Sequence, residues 1–502
     1  MKKRLRQTVS LLTLVAAFVN YSIQPVSAQF VKEKMIVEGN LINPNIFHSI
    51  DKKIIRASSN LQWSFVKDNI SNMEPMHPEI DGIALPMNGI RIRDYLILHG
   101  DRVWTEDDVQ LSTVSQIKWG KYTENFIILC LTDSIGFDFF NGKKWSIIIS
   151  NAGMVSKMVK AGRFKGLFLD NESYFEKMGS FPWKFDPKNY PDHTFEEVKA
   201  KCRERGNAFM KALQSSVPYP IVLLNFFWFG DFWNEYETNT GREVLYMPFM
   251  DGMLEASKVD NLFVDGNEGA YWYQETSMFT DIYNEFRVNR FPKYGAKDLQ
   301  DKYKTQVQIG HGIYPNLYYD KFERWPYKHT AEEQNTWWRH QLYNSLLTTD
   351  KYVWIWSEKW DWWGNGGMAL TPNFTSIISE VKAKINNQQG LNYDLVNNSD
   401  NWKINLVKPT EKWHTATSPT VVITSPANKS KGKGKLTINT KVSGNVSKVE
   451  FYVNTMRVGV DSTAPYSVTV RGLAKGTYNI LAGAFDSKNE HTTSPPVVIT
   501  VR

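Results

Sequence analysis

Seven times between residues 81 and 360 the chain repeats one order: a short apolar, β-rich run, a polar or aromatic exit, then an amphipathic helical stretch. The runs are DGIALPMN (81–88), NFIILCLTD (125–133), GLFLDNES (166–173), IVLLNFFWF (221–229), NLFVDGNEGAY (261–271), QVQIGHGIYP (306–315) and YVWIWSEKW (352–360). Helical stretches lie between them, including TFEEVKAKCRERGNAFMKALQSS (194–216), where Thr194 and Glu197 have capping-box spacing, and AEEQNTWWRHQLYNSLLTT (331–349). Strands that alternate with helices pair in parallel, because a parallel neighbour is reached only through a long crossover. An open doubly wound sheet would satisfy this order. The steady repetition, with chemistry gathered at the strand exits, favours an α/β fold of the (β/α)8 barrel type with one strand unrecognised. Either WKINLV (402–407) supplies that strand or the barrel is irregular. Residues 29–75 are expected to form an N-terminal cover with a short hairpin around KMIVEGNLI.

After about residue 408 the texture changes to Thr, Ser, Pro and Lys, and TEKWHTATSPT reads as a linker. Short alternating runs follow, separated by Gly, Asn and Pro turns, which predicts a small all-β sandwich. The elements KVEFYVN, APYSVTV and AFDS make this segment resemble the bacterial Ig-like modules appended to secreted carbohydrate-active enzymes. The resemblance implies a fold rather than a role, since such modules serve as spacers or as binders. The expected organisation is a signal peptide over 1–28, a barrel with its cover over 29–407, a linker over 408–419 and an Ig-like sandwich over 420–502.

The signal reading rests on Lys2, Lys3, Arg4 and Arg6 ahead of VSLLTLVAAFV, and on the small-residue exit Val26-Ser27-Ala28. No later apolar run approaches the roughly 18 residues a membrane span requires. The expectation is an exported chain, secreted, periplasmic or at the cell surface, with no membrane span. Only two cysteines are present, Cys130 and Cys202, which excludes a disulfide scaffold. Both sit in apolar surroundings that suit a core filler. The net charge of +7 is carried by the ends: +4 in residues 1–28 and +7 in residues 420–502. Residues 29–419 hold 44 basic against 48 acidic residues, so no basic stripe offers a nucleic-acid groove.

Chemistry concentrates where strands end. Alternate side chains of a strand share a face, so Phe168, Asp170 and Glu172 point together. If that face is the barrel interior, both acids emerge at the mouth where barrel enzymes place their catalysis; otherwise they are a helix cap or surface acids. Tyr174, Phe175 and Trp183 are expected to line the recess. A second exit presents Asp265, Asn267 and Glu268 before Tyr271, Trp272 and Tyr273. A third presents Glu358 and Asp361 among Trp354, Trp356, Trp360, Trp362 and Trp363. A pyranose rests its C–H faces on aromatic rings and gives its hydroxyls to Asp, Asn and Glu. Cleaving its glycosidic bond takes one protonated carboxyl and a second carboxylate.

Together, GLFLDNESY, DGMLE (251–255), VDGNEGAYWY and YVWIWSEKWDWW make residues 81–390 resemble a secreted barrel glycoside hydrolase of polysaccharide-degrading bacteria. The Asn267-Glu268 pair is similar to the Asn-Glu of the large retaining barrel clan, but follows the fifth visible strand rather than the fourth. Asp170-x-Glu172 resembles the end of the chitinase signature without its preceding run of spaced aspartates. The resulting expectation is Glu172 as general acid/base, Glu268 as the second carboxylate, Asp170 tuning Glu172, and Glu358 in reserve for the second role. Asn225, Asp265, Asn267, His311, Tyr314, Trp356 and Trp360 are the expected substrate contacts, with a satisfied core histidine the equal alternative for His311.

No HExxH, P-loop, helix-opening GxGxxG or GxSxG occurs, which disfavours zinc proteases, nucleotide enzymes and α/β-hydrolase esterases. No loop has EF-hand spacing, so although scattered aspartates leave calcium open, neither metal nor cofactor is expected. The expected partner is a polysaccharide or oligosaccharide substrate. A sulfated marine polymer would ask for Arg and Lys at the subsites. The competing functions are a non-catalytic carbohydrate-binding protein and a polysaccharide lyase.

Overall fold

Eight parallel strand runs close into a ring. They are β1 (Lys53–Ala57), β2 (Gly82–Pro86), β3 (Phe126–Cys130), β4 (Gly166–Asp170), β5 (Ile221–Leu224), β6 (Leu262–Asp265), β7, and β8 (Tyr352–Trp356). β7 comes in two pieces, Val307–Ile309 and His311–Ile313, interrupted at Gly310. Its first piece pairs with β6 and its second with β8, while β8 pairs with β1 to complete the barrel. This computed structural model describes residues 36–38, 52–58, 61–87, 96–133, 138–172, 182–227, 244–317 (without 274, 277, 280, 281, 283–285 and 287–289), 330–358, 360–387, 389–391, 393–396, 410–413, 418–454, 456–488 and 491–502. The signal peptide, Tyr174, Phe175 and WKINLV lie outside the described residues.

The unrecognised strand is therefore β1, inside the segment assigned to a cover. Its sequence, KIIRA, carries Lys53 and Arg56, which dilute the apolar run on which strand recognition depends. Ile36–Glu38, expected in a local hairpin, instead runs parallel to Ser467–Arg471 of the C-terminal sandwich. β2 and β3 are buried along their whole length, as parallel strands covered on both faces must be. The helices follow the predicted places. Phe195–Leu213 starts at the capping box of Thr194 and Glu197, and Ala331–Thr348 at an equivalent box of Thr330 and Glu333.

The lumen is packed. Phe168 of β4 meets Trp354 of β8 edge-to-face, ring centroids 4.9 Å apart, so the face that carries Phe168 and Asp170 is the interior one. Beyond the barrel, Thr410–Trp413 of the expected linker pairs antiparallel with Tyr393–Val396. The C-terminal module is a two-sheet all-β sandwich. One sheet is built on Thr420–Ser425, Lys435–Ser443 and Ser467–Arg471, the other on Lys448–Val453, Met456–Asp461, Gly476–Phe485 and Val497–Val501. Among the described residues no helix is long and apolar enough to cross a membrane.

β4 begins at Gly166 because the backbone of β5 leaves no room for a side chain there. A Cβ at that position would lie 1.9 Å from the Ile221 carbonyl oxygen. We expect Gly166→Ala to cost about 1–3 kcal/mol in chemical denaturation. Gly142, in the first turn of a helix with nothing within 4 Å of its added Cβ, is the control: Gly142→Ala should be neutral or stabilising by up to about 1 kcal/mol.

Candidate active site

With β1 counted, Asp170 and Glu172 leave the fourth strand and Glu268 follows the sixth. The exit of β4 is stitched to that of β5 by Asn171, whose buried amide donates to the Phe226 carbonyl at 2.9 Å and accepts from the Phe226 N–H at 3.4 Å. The two acids flank this anchored residue. Asp170 Oδ1 accepts from Asn225 Nδ2 at 3.2 Å and from the Glu172 N–H at 3.3 Å, and the Cys130 thiol lies 3.5 Å from Oδ2.

The exit of β6 stays alongside β5. The Gly266 N–H donates to the Leu224 carbonyl at 2.8 Å and the Glu268 N–H to the Asn225 carbonyl at 3.1 Å. Gly266 is required by crowding, since a Cβ would sit 2.2 Å from the Leu224 oxygen and 2.8 Å from Trp354 Nε1. Asn267 then takes the left-handed conformation, φ 41° and ψ 62°, and Asp265 Oδ1 accepts its N–H at 2.9 Å. Glu268 opens the following 3-10 turn, Glu268–Trp272.

These exits bring three carboxyls together. Burial pushes Glu268 well above the usual carboxylate range, and the charges of Glu172 and then Asp170 push it the same way. Hydrogen bonds from Tyr271 and Asn225 oppose the shift without cancelling it. Glu268 Oε2 is shielded from solvent and has no hydrogen-bond partner among the described residues. Tyr271 is itself raised well above 10, by burial first and Glu268 second. Its ring lies 5.4 Å from Tyr314 on one side and 5.4 Å from Trp354 on another. The assembly is an enclosed, upshifted carboxyl facing two further acids over an aromatic floor.

Other expected site residues fall elsewhere. His311 is fully enclosed, its ring nitrogens engaged by Asn267 and Thr348, the placement that the core-histidine alternative describes. Trp360 is likewise enclosed, 5.0 Å from Phe374, because the chain turns after Trp356 and sends it against the outer helix Phe374–Asn386. Trp183 is enclosed between Tyr246 and Phe249. Asp265 is buried beneath the turn and supports it rather than reaching a ligand. Glu358 is exposed, its backbone held by Asn316, and the charges that act on Glu268 are those of Glu172 and Asp170. Trp356 and Tyr314 are half-buried at the ends of β8 and β7.

Sequence reasoning missed Cys130 and Asn171 as supports of the acids, and the central place of Tyr271. It also missed Arg56, a buried guanidinium pushed down to about 9 by burial, which donates to the Ile355 and Ser357 carbonyls and so ties β1 to the exit of β8. A lone arginine in an apolar run was the available signal. Among the described residues no group of three or more His, Cys, Asp or Glu is placed to hold a metal ion.

With this geometry, the chain is a (β/α)8 barrel carrying a C-terminal Ig-like sandwich, and residues 419–482 match the bacterial Ig domain family. No curated protein matches the sequence. Among solved structures, the fibronectin(III)-like modules of Clostridium thermocellum CbhA are 34% identical over 16% of this chain and 46% of theirs, with a TM-score of 0.16. The endo-β-1,4-mannanase of Thermotoga petrophila is 9% identical over 91% of this chain and 99% of its own, with a TM-score of 0.36. A β-glucuronidase 2 of Bacteroides uniformis is 11% identical over 90% of this chain and 45% of its own, with a TM-score of 0.35. The chain thus spans under half the length of the first and third of these. Likenesses of this size decide nothing about the chemistry, which the residues have to carry.

The raised Glu268 carboxyl has a thermodynamic consequence. Its folded value lies above its unfolded one, so the native state binds the extra proton and loses stability as pH rises from about 4.5 through the folded value. Glu268→Gln, neutral at every pH, should melt higher than wild type near pH 8, with the gap closing toward pH 4. Thermal melts across that range check it, and a constant gap would contradict the assignment.

Proposed function

We propose that the chain is an exported glycoside hydrolase that cleaves glycosidic bonds in a polysaccharide or oligosaccharide by two-carboxylate catalysis. The observation that carries this reading is the proximity of Glu268, a carboxyl pushed well above its usual range by burial and by two neighbouring acids, to Glu172, which leaves the barrel two strands away. A glycosidic oxygen leaves readily only if it takes up a proton as the bond breaks, and Glu268 is the group that holds one. Glu172 then supplies the second carboxylate, as nucleophile or as the base that activates water. These roles are the reverse of the order expected from sequence. Asp170, hydrogen-bonded to Asn225 and to the Glu172 backbone, orients that second carboxylate. The strand count supports a catalytic place for Glu172 without assigning its role. Asn171-Glu172, rather than Asn267-Glu268, stands at the fourth strand, where the barrel-clan resemblance puts an Asn-Glu pair.

Tyr314, half-buried 5.4 Å from Tyr271, and Trp356, half-buried at the end of β8, are suited to a sugar face. A sulfated polymer gains no support from the described residues around the acids, where Arg56 is enclosed and committed to backbone carbonyls. A lyase would need a base such as a readily ionised tyrosine or an accessible histidine, whereas Tyr271 is raised and His311 enclosed.

Incubation with a panel of neutral and anionic polysaccharides should release reducing ends. Glu172→Gln should lower turnover by about 10³-fold or more on every substrate. Glu268→Gln should do the same on polysaccharides but retain most activity on aryl glycosides whose leaving group needs no proton. Binding without cleavage by the wild type would establish the carbohydrate-binding alternative instead. Near wild-type turnover in either variant would remove that residue from its role.

A further inference from the structure

The left-handed backbone of Asn267 stands immediately before Glu268, and an asparagine there needs to be held. The hydrogen bonds that hold it run in one direction only. The Thr348 hydroxyl donates to the Asn344 carbonyl at 2.7 Å, one helical turn back. Its single proton is then spent, so Thr348 Oγ1 must accept from His311 Nε2, 3.0 Å away. A neutral imidazole that donates from Nε2 leaves Nδ1 as an acceptor, and Nδ1 faces the Asn267 side-chain amide at 3.0 Å. The Asn267 amide oxygen, at the other end of that group, accepts from the Tyr273 hydroxyl at 3.4 Å. Donors and acceptors match at every link.

We propose that His311 is a positioning residue for the reaction: as the neutral Nε2–H tautomer it anchors the Asn267 side chain and so fixes the strained turn that presents Glu268. The inference rests on the proposed role of Glu268. A protonated imidazole would turn an N–H toward the Asn267 amide protons and break the relay, so the ring has to stay neutral. Its surroundings agree. His311 is pushed down to about 3, by burial first and the nearby Lys52 ammonium second. The described neighbours are Tyr273 at 6.5 Å and Phe279 at 5.8 Å, with His340 beyond Phe279, and two carboxylates on adjoining elements, Asp265 and Asp350, which accept the Asn267 and Ile309 N–H groups. Enclosure and Lys52 outweigh these acids at the ring.

Two measurements on the full chain decide the matter. The first needs no substrate. The imidazole nitrogens of His311, observed by ¹⁵N NMR, should show Nε2 protonated, Nδ1 bare, and no titration between pH 8 and 5. An Nδ1–H tautomer, or an imidazolium forming near pH 6.5, overturns the relay.

The second is kinetic, on whichever polysaccharide the wild type cleaves. Misplacing a catalytic group by about 1 Å can cost around 10²-fold in rate, so His311→Ala should lower kcat by that order while KM changes little. Thr348→Val, which keeps the shape and removes the hydroxyl that accepts from Nε2 and donates to Asn344, should lower kcat in the same direction by less, and it guards against a His311 variant that fails to fold. Glycine takes the left-handed conformation without an anchor. In an Asn267→Gly background, His311→Ala should therefore cost at most a few-fold. An equal loss in both backgrounds, or an unchanged kcat in Thr348→Val and His311→Ala, overturns the positioning role. If the wild type cleaves nothing, the hydrolase reading fails, and the NMR measurement still judges the relay.

Discussion

A carboxyl enclosed beside two other carboxyls is the most expensive arrangement in this barrel, and the mouth is organised around it. Glu268 meets part of that cost by a shift toward its neutral form. Keeping it there demands rigidity, because a mobile carboxyl would turn to water and ionise. The exits supply that rigidity with polar side chains bonded to the backbone of the neighbouring exit. Asn171 ties β4 to β5, Asn316 ties β7 to β8, and Arg56 ties β1 to β8. The rim of the barrel is thus laced by side chains just beyond the point where the strand ladder ends.

Beneath the acids, Trp354 does for the floor what these ties do for the rim. Its indole N–H donates to the Gly266 carbonyl at 2.8 Å, and its ring packs against Phe168 and Tyr271. Gly266 and Gly312 both lack a side chain where Trp354 lies, since a Cβ on either would come within 2.8 Å of the indole. The tryptophan closes the lumen to water from below. Packing of Trp354 in the lumen thus contributes to the desolvation of Glu268 and Tyr271.

Much of this was legible in the sequence, and the parts that were not have physical reasons. The repeated strand, exit and helix gave the architecture because period and order survive without knowledge of contacts. Strand parity gave the shared face of Phe168, Asp170 and Glu172. Trp360 lies past a turn, where strand alternation stops applying and could not place it. β1 was hidden because two of its five residues are cationic, and only the fold shows that Arg56 spends its charge on carbonyls of β8. His311 could not be assigned from IGHGIYP, since its partners Asn267 and Thr348 are distant in sequence. Which acid keeps the proton was equally out of reach, because it depends on enclosure and on the proximity of two other strand exits.

The sandwich belongs in the same account. A cavity of about 230 Å³ lies between it and the barrel, with Val421 and Thr492 on one wall and Thr276, Tyr343, Asn344 and Leu347 on the other. Thr276 follows the turn of Glu268, and Asn344 is the carbonyl on which the Thr348 hydroxyl ends. The module therefore packs over the β6–β7 connection, which carries Glu268, and over the helix Ala331–Thr348 that leads into β8. The strand Ile36–Glu38, which pairs with the sandwich shortly before the chain enters β1, adds a second attachment between them. A tether at one end alone would leave the module free to swing. Attachment at both ends of the barrel chain, together with packing against the helix Ala331–Thr348, fixes the module to one side of the barrel.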